Sequence, residues 1–155
     1  MKVLKCILVA SLCMALSIPA LAQSPILNDE SGPQATPISE EERFSINPRG
    51  WYSFDASVRP SGTDTSTRFS FTSDAGYARI ECNTFDGTSG NKVYFRIVDQ
   101  AGNSLTEAPW INAAYTFDLD YLNNVTGSYS NARLKITGGS NNSGTTRVKG
   151  YCCPD

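Results

Sequence analysis

The chain has 155 residues, with 13 basic and 15 acidic side chains, a formal net charge of −2 and no histidine. Because basic residues are not in excess, nucleic acid and anionic membrane surfaces are poor candidate partners. Without histidine the chain cannot form a Ser-His-Asp or Cys-His catalytic arrangement, which excludes those classes of hydrolase. The length suits one domain around one hydrophobic core.

The first 22 residues have the layout of a secretory signal peptide. Lys2 and Lys5 give a basic start, an apolar run follows, and Ala20 and Ala22 are the small residues that precede the cleavage point at Gln23. The apolar run is shorter than the roughly 20 residues that a spanning helix needs. We therefore expect cleavage after Ala22, a secreted extracellular protein and no membrane span.

Residues 23–42 contain three prolines and five acidic residues but no basic one. A segment of this composition buries little apolar surface. We expect a flexible acidic arm between the signal peptide and the domain. A pro-segment, or an arm that docks on a partner, is the alternative.

From residue 43 onward, apolar and polar residues alternate in short runs, which is typical of half-buried antiparallel strands. Clear runs cover residues 52–58, 68–72, 77–84, 92–98, 116–122, 131–137 and 145–152. Turn-forming residues separate these runs, and none has a helical period. The pattern predicts a single all-β domain over residues 43–155, an antiparallel, jelly-roll-like β-sandwich of seven to nine short strands.

Three cysteines follow the signal peptide, namely Cys82, Cys152 and Cys153. Cys82 has the parity of Ile80 and Cys152 that of Val148, so both are expected to face the core. The favoured disulfide is therefore Cys82–Cys152, with Cys153 as the alternative partner if the last strand bulges. The spare thiol could join two chains, which makes a disulfide-linked homodimer an open alternative.

The sequence predicts no metal site and no cofactor, because three cysteines without histidine offer too few zinc ligands. A pair of carboxylates is the remaining catalytic option. Asp118 and Asp120 share one face of a predicted strand and could flank a glycosidic bond with Glu81 or Asp99, or contribute to a calcium site. Neighbouring apolar residues take the opposite face, so these aspartates are more simply the solvent side of the strand. We predict no catalytic residues and no enzyme.

Aromatic residues are more numerous than one face of a small core needs, and they suggest a binding surface. Tyr94 and Arg96 have the outward parity of their strand, as Tyr77 has in the preceding one, and Trp110 lies in a loop-like stretch. Exposed rings beside polar side chains can stack on sugars or contact a protein. These four residues form the predicted surface.

The C-terminal third resembles a group of small exported proteins of Gram-positive bacteria whose function is unknown. The similar features are residues 132–136, the Asn/Ser/Gly tip at 141–144, and the ending 148–151 before the terminal Asp155. Residues 94–105 are similar to jelly-roll modules that follow bacterial secreted proteases. Both resemblances imply a β-sandwich, and the first implies a secreted one without catalytic residues.

The sequence thus favours a secreted, non-enzymatic binding or interaction protein with an unidentified protein or glycan partner. Its role could be on the cell envelope, against a competitor as a bacteriocin-like factor, or as an inhibitor of a hydrolase. A carbohydrate-binding module that uses exposed aromatic side chains is the alternative, and a carboxylate-based glycoside hydrolase comes third.

Overall fold

The computed structural model describes Glu30 and residues 32–39, 50–73 and 76–154. These residues contain strands and no helix, so no helix in them could cross a membrane. The strands are β1 (Tyr52–Val58), β2 (Thr63–Thr65), β3 (Phe69–Thr72), β4 (Tyr77–Asp86), β5 (Val93–Val98), β6 (Trp110–Ile111), β7 (Thr116–Asp120), β8 (Ser128–Gly138) and β9 (Thr146–Cys153).

The strands form two sheets that pack face to face. One sheet has the order β1-β9-β4-β7, and the other has the order β2-β8-β5-β6. The strand β3 also pairs with β8, so β2 and β3 lie along successive parts of it, with Thr63 opposite Thr137 and Thr72 opposite Ser128. Every pairing between these strands is antiparallel. The predicted all-β antiparallel sandwich is confirmed.

The core lies between the sheets and consists of the inward-facing residues that the alternation indicates. Phe95 on β5 joins the two sheets, because its ring contacts Phe54 on β1 and Phe117 on β7 edge to face, at 5.8 and 5.3 Å between centroids. Phe95 and Phe117 are fully buried. Burying a side chain of this size stabilises the fold by about 1.5–3 kcal/mol.

Residues 32–38 close one side of the sandwich. Ala35 N donates to Trp110 O at 2.8 Å, and Trp110 N donates to Pro33 O at 2.9 Å, which adds this segment beside β6. Ile38 N then donates to Thr116 O at 2.9 Å, so the same segment reaches β7 in the other sheet. Two exposed sheet edges are thereby covered, which protects them from pairing with other chains.

Gly32 and Glu30, at the beginning of this segment, also contact the domain. A Cβ atom added at Gly32 would coincide with the carbonyl oxygen of Ala108, so only glycine fits there. The carboxylate of Glu30 accepts hydrogen bonds from Ser61 at 3.5 Å and from Ser140 at 2.6 Å. This part of the predicted arm, 23–42, is thus attached to the domain. The remainder of the predicted arm and the predicted signal peptide lie outside the described residues.

All three cysteines are buried free thiols in this structure. Cys82 faces the core as predicted, but it lies opposite Gly150, whereas Cys152 lies opposite Ile80. Cys82 and Cys152 are therefore a diagonal pair. Diagonal neighbours are about 7–8 Å apart, whereas a disulfide needs Cβ atoms about 3.8 Å apart. The predicted Cys82–Cys152 bridge is thus not present.

The alternative bridge from Cys82 to Cys153 is not present either. Cys153 pairs with Arg79 in the ladder, and so lies on the outer face of the sheet, away from Cys82. It is nevertheless fully buried there. The disulfide-linked homodimer stays an untested alternative.

Candidate functional site

The outer face of the β1-β9-β4-β7 sheet carries a dense set of aromatic and charged side chains. The register aligns them in rows: Ser53, Tyr151 and Glu81 lie side by side, and Asp55 lies beside Lys149. Because alternate residues of a strand point to opposite faces, these side chains all point away from the core.

Trp51 and Tyr151 are the two large hydrophobic side chains that are exposed among the described residues, at 36% and 43%. They meet each other at 6.3 Å between ring centroids, with an angle of 84° between the ring planes. Edge-to-face pairs of this kind are favourable, by about 0.5–1.5 kcal/mol beyond the area they bury. The two rings form a right-angled corner on the surface.

A charged cluster lies beside this corner. Arg147 binds the carboxylate of Asp55 through Nε at 2.9 Å and Nη2 at 2.7 Å, and Lys149 Nζ lies 3.6 Å from the same carboxylate. The hydrogen bond from Arg147 lowers the pKa of Asp55, and the positive charges of Arg147 and Lys149 add to this effect. The carboxylate is therefore ionised and fixed in orientation at neutral pH.

A β-bulge in β4 adds an amide group to the same area. The ladder to β9 shifts between Cys82, opposite Gly150, and Thr84, opposite Lys149, so that Asn83 is the extra residue. Bulges redirect side chains and are frequent next to binding sites. Asn83 is exposed and lines the cleft described next.

An open cleft of about 520 Å³ lies between the bulge, Tyr151 and the charged residues Asp55 and Lys149, all of which line it. We call the cleft and the adjoining corner the aromatic cleft. Its defining residues are Trp51, Ser53, Asp55, Asn83, Lys149 and Tyr151. The side chains combine an apolar ring with hydrogen-bond donors and acceptors, which is the composition of a ligand-binding site.

A second cleft, of about 490 Å³, lies between residues 33–38 and the β4–β7 edge of the same sheet. Its floor contains Arg79, which binds Asp118 through Nε at 2.9 Å and Nη2 at 3.1 Å. The guanidinium carbon of Arg79 also lies 5.6 Å from the ring centre of Tyr77. Arg79 is buried and paired, so this arrangement is a structural ion pair in the floor of the cleft.

The two carboxylates considered for catalysis face outward, as their parity predicts. Asp118 is bound by Arg79 on both of its oxygens. Asp99 directly follows β5 in the other sheet, where its carboxylate accepts hydrogen bonds from Asn103 N and Nδ2, both at 2.8 Å. The alternative calcium site gains no support, because no group of three or more Cys, Asp or Glu side chains clusters in the described parts of the chain.

The four residues of the predicted surface do not form one exposed patch. Tyr77 lies on the four-stranded sheet, whereas Tyr94, Arg96 and Trp110 lie on the outer face of the other sheet. Tyr94 is 7% exposed and Arg96 5%, and burial raises the pKa of Tyr94. Trp110 lies directly opposite Tyr94.

The ring of Trp110 is also occupied. Lys92 Nζ lies 4.1 Å from its centre, which is the geometry of a cation–π contact. A ligand that stacked on this ring would first have to displace the ammonium group. These contacts favour a structural role for Tyr94 and Trp110.

None of the six residues that define the aromatic cleft belongs to the surface predicted from the sequence. The parity of the last strand contained part of the signal, since Tyr151 alternates on the same side as Arg147 and Lys149. The bulge at Asn83 and the contact between Trp51 and Tyr151 depend on strand register, and no local pattern indicates them.

A scan against models of known protein families finds no match, and no curated protein is significantly similar to this chain. A function for this chain is therefore inferred from the geometry of its site and not from relatives.

Proposed function

We propose that this chain is a secreted, non-enzymatic binding protein and that the aromatic cleft is its ligand-binding site. The observation that carries the proposal is the corner of Trp51 and Tyr151, which leaves two large rings exposed to water at a site lined by ion-paired and amide side chains. Exposed aromatic groups that are fixed in place provide contact area at low entropic cost, which is why they are frequent in binding sites.

The chemistry of the remaining groups supports binding rather than catalysis. The chain contains no histidine, so the usual general base is missing. Asp55 and Asp118 are each held by an arginine on both carboxylate oxygens. The hydrogen bond from Arg147 lowers the pKa of Asp55, whereas a glycosidase needs one carboxyl group with a raised pKa.

The proposal is tested with the mature chain, meaning the chain without residues 1–22. Retention is measured on two materials, isolated cell walls and the medium proteins of the producing organism. We expect the wild type to be retained on at least one of them and the Trp51→Ala/Tyr151→Ala double variant to lose at least nine tenths of this retention.

The matched control is Trp110→Ala, which removes a large ring from the other sheet and is expected to retain binding. Circular dichroism and a thermal melt establish that each variant is folded. Equal retention of the double variant and the wild type, or no retention of either, would contradict the proposal.

A further inference from the structure

We infer that the ligand of the aromatic cleft is a carbohydrate, bound as a single sugar ring of a soluble glycan chain; this inference rests on the proposed function. Three features of the cleft point to this class of ligand: the angle between the rings, the balance of polar groups and the charge at its edge.

The ring geometry determines the shape of the ligand. The apolar C–H face of a pyranose ring can stack on one aromatic ring, and a second ring perpendicular to the first, with its centroid 6.3 Å from the centroid of the first, can contact the edge of that sugar. A flat crystalline polysaccharide needs several rings in one plane, which planes at 84° cannot provide. The corner therefore fits a single sugar unit on a flexible chain.

The polar lining matches hydroxyl groups. Asn83 offers both a donor and an acceptor, the Asp55 carboxylate accepts, and Lys149 Nζ donates. Sugar hydroxyls donate and accept at once, so they can satisfy all three groups. The carboxylate is held in orientation by Arg147 before any ligand arrives, and this lowers the entropic cost of binding.

The charges disfavour a protein partner at the same place. The centre of a protein interface is depleted in charged residues, and covering an ion pair there removes its hydration. Asp55 and Lys149 both line the cleft, and Arg147 adjoins it. A small hydroxyl-rich ligand can contact these groups and leave them partly hydrated. The cleft volume of about 520 Å³ is also in the range of about 300–1,000 Å³ that is usual for small-ligand sites.

The test uses named probes. A glycan array is screened with the mature chain, and native gels are cast with soluble xylan, mixed-linkage β-glucan or pullulan to measure retardation. Sedimentation with crystalline cellulose and crystalline chitin tests the flat surfaces. We expect binding to at least one soluble glycan and no sedimentation with either crystalline polymer.

Single substitutions locate the site. We expect Tyr151→Ala to weaken glycan binding at least tenfold and Asn83→Ala to weaken it severalfold, whereas the control Trp110→Ala, on the other sheet, stays within about threefold of the wild type. Thermal melts establish that the variants are folded. Absence of binding to every glycan at millimolar concentration, or an unchanged affinity of Tyr151→Ala, would overturn the inference.

A further treatment separates this inference from the proposed function. Cell walls are oxidised with periodate, which cleaves sugar diols, or digested with protease, before retention is measured. Loss of retention after periodate alone supports a carbohydrate ligand. Loss after protease alone means that the ligand is a protein, which overturns the inference and leaves the proposed function intact. Retention that does not depend on Trp51 and Tyr151 refutes both.

Discussion

Gly150 in β9 lies against the main chain of β4, and a Cβ atom added to it would clash with the carbonyl oxygen of Glu81. The same part of the ladder holds the bulge that exposes Asn83. The absence of a side chain at Gly150 thus permits both the close contact of the two strands and the geometry of the aromatic cleft on the opposite face.

Gly150→Ala should therefore affect stability and ligand binding together. The added methyl group forces the two strands apart, and over-packing of this kind costs about 1–3 kcal/mol in the free energy of unfolding. Urea denaturation measures the loss, and glycan or cell-wall retention measures the effect on the cleft. The control is Gly50→Ala, where the atoms nearest to an added Cβ belong to the side chain of Tyr52, at 3.3 Å and beyond, and not to the main chain. Equal stabilities of the two variants would contradict the expected steric clash.

The thiol of Cys82 should make stability fall in alkaline solution. Burial raises its pKa from 9.0 to about 11, so between these values the unfolded chain has released the proton and the folded chain has kept it. The contribution of the Cys82 thiol to the free energy of unfolding is therefore complete below pH 9. It falls by up to about 3 kcal/mol as the pH rises through 11. The measurement is the difference in unfolding free energy between the wild type and Cys82→Ala under reducing conditions.

We expect this difference to shrink by about 2 kcal/mol between pH 7 and pH 10.5, since each pKa unit corresponds to about 1.4 kcal/mol. Tyrosines and lysines are the same in both proteins, so their effects on the unfolding free energy cancel in this difference. A difference that stays constant with pH would show that the folded thiol titrates normally.

A thiol count on the unfolded, unreduced protein without residues 1–22 should give three, because Cys82, Cys152 and Cys153 are free thiols. A count of one would indicate a disulfide.

The alternation of apolar and polar residues was sufficient to predict the sandwich, the inward side of Cys82 and the outward side of Asp118. It was not sufficient to predict what covers an outward-facing side chain. Tyr94 and Arg96 have outward parity, yet both are buried. Parity defines the face of a strand, whereas burial depends on residues far away in the sequence.

The aromatic cleft illustrates the same limit. Trp51 and Tyr151 are 100 positions apart in the chain, and they meet only because β1 pairs with β9 in one particular register. A shift of one residue would turn Tyr151 into the core. Likewise, the proline-containing composition of residues 32–38 predicts an extended segment, but it does not indicate that their backbone pairs with Trp110 and Thr116.

Asp118→Ala should destabilise the fold more than Asp120→Ala. Asp118→Ala removes the carboxylate that binds both Nε and Nη2 of Arg79, whose side chain is only 5% exposed. Breaking a buried ion pair costs about 3–5 kcal/mol, and we expect about 2–4 here because Asp118 is 28% exposed. Asp120 is exposed and its loss should cost less than about 0.5 kcal/mol. Urea denaturation at pH 7 measures both, and a similar loss in the two variants would mean that the ion pair contributes little.

Asp55 should titrate below its ordinary pKa of 3.8 in the folded protein, mainly because of the hydrogen bond from Arg147. Its contribution to stability is then present above pH 3.8 and is lost as the pH falls through the lower folded value. Carboxyl carbon shifts in NMR spectra report the titration directly. Arg147→Met should raise the midpoint towards 3.8, and Lys149→Met should raise it less, since Lys149 is 3.6 Å from the carboxylate. An unchanged midpoint in Arg147→Met would contradict this assignment.

The backbone amides of Ala35, Ile38 and Trp110 should be protected from hydrogen exchange, because each donates to a main-chain carbonyl at 2.8–2.9 Å between residues 33–38 and the sheets. We expect exchange at least about a hundredfold slower than at Asn141, an exposed turn residue, which corresponds to about 2.7 kcal/mol for local opening.

Gly32→Val places a side chain on the carbonyl of Ala108 and should displace the start of the segment formed by residues 32–38. Protection at Ala35 and Trp110 should then fall, while the amides of β4 keep theirs. Exchange at Ala35 as fast as at Asn141 in the wild type would instead support a flexible arm that reaches past residue 38.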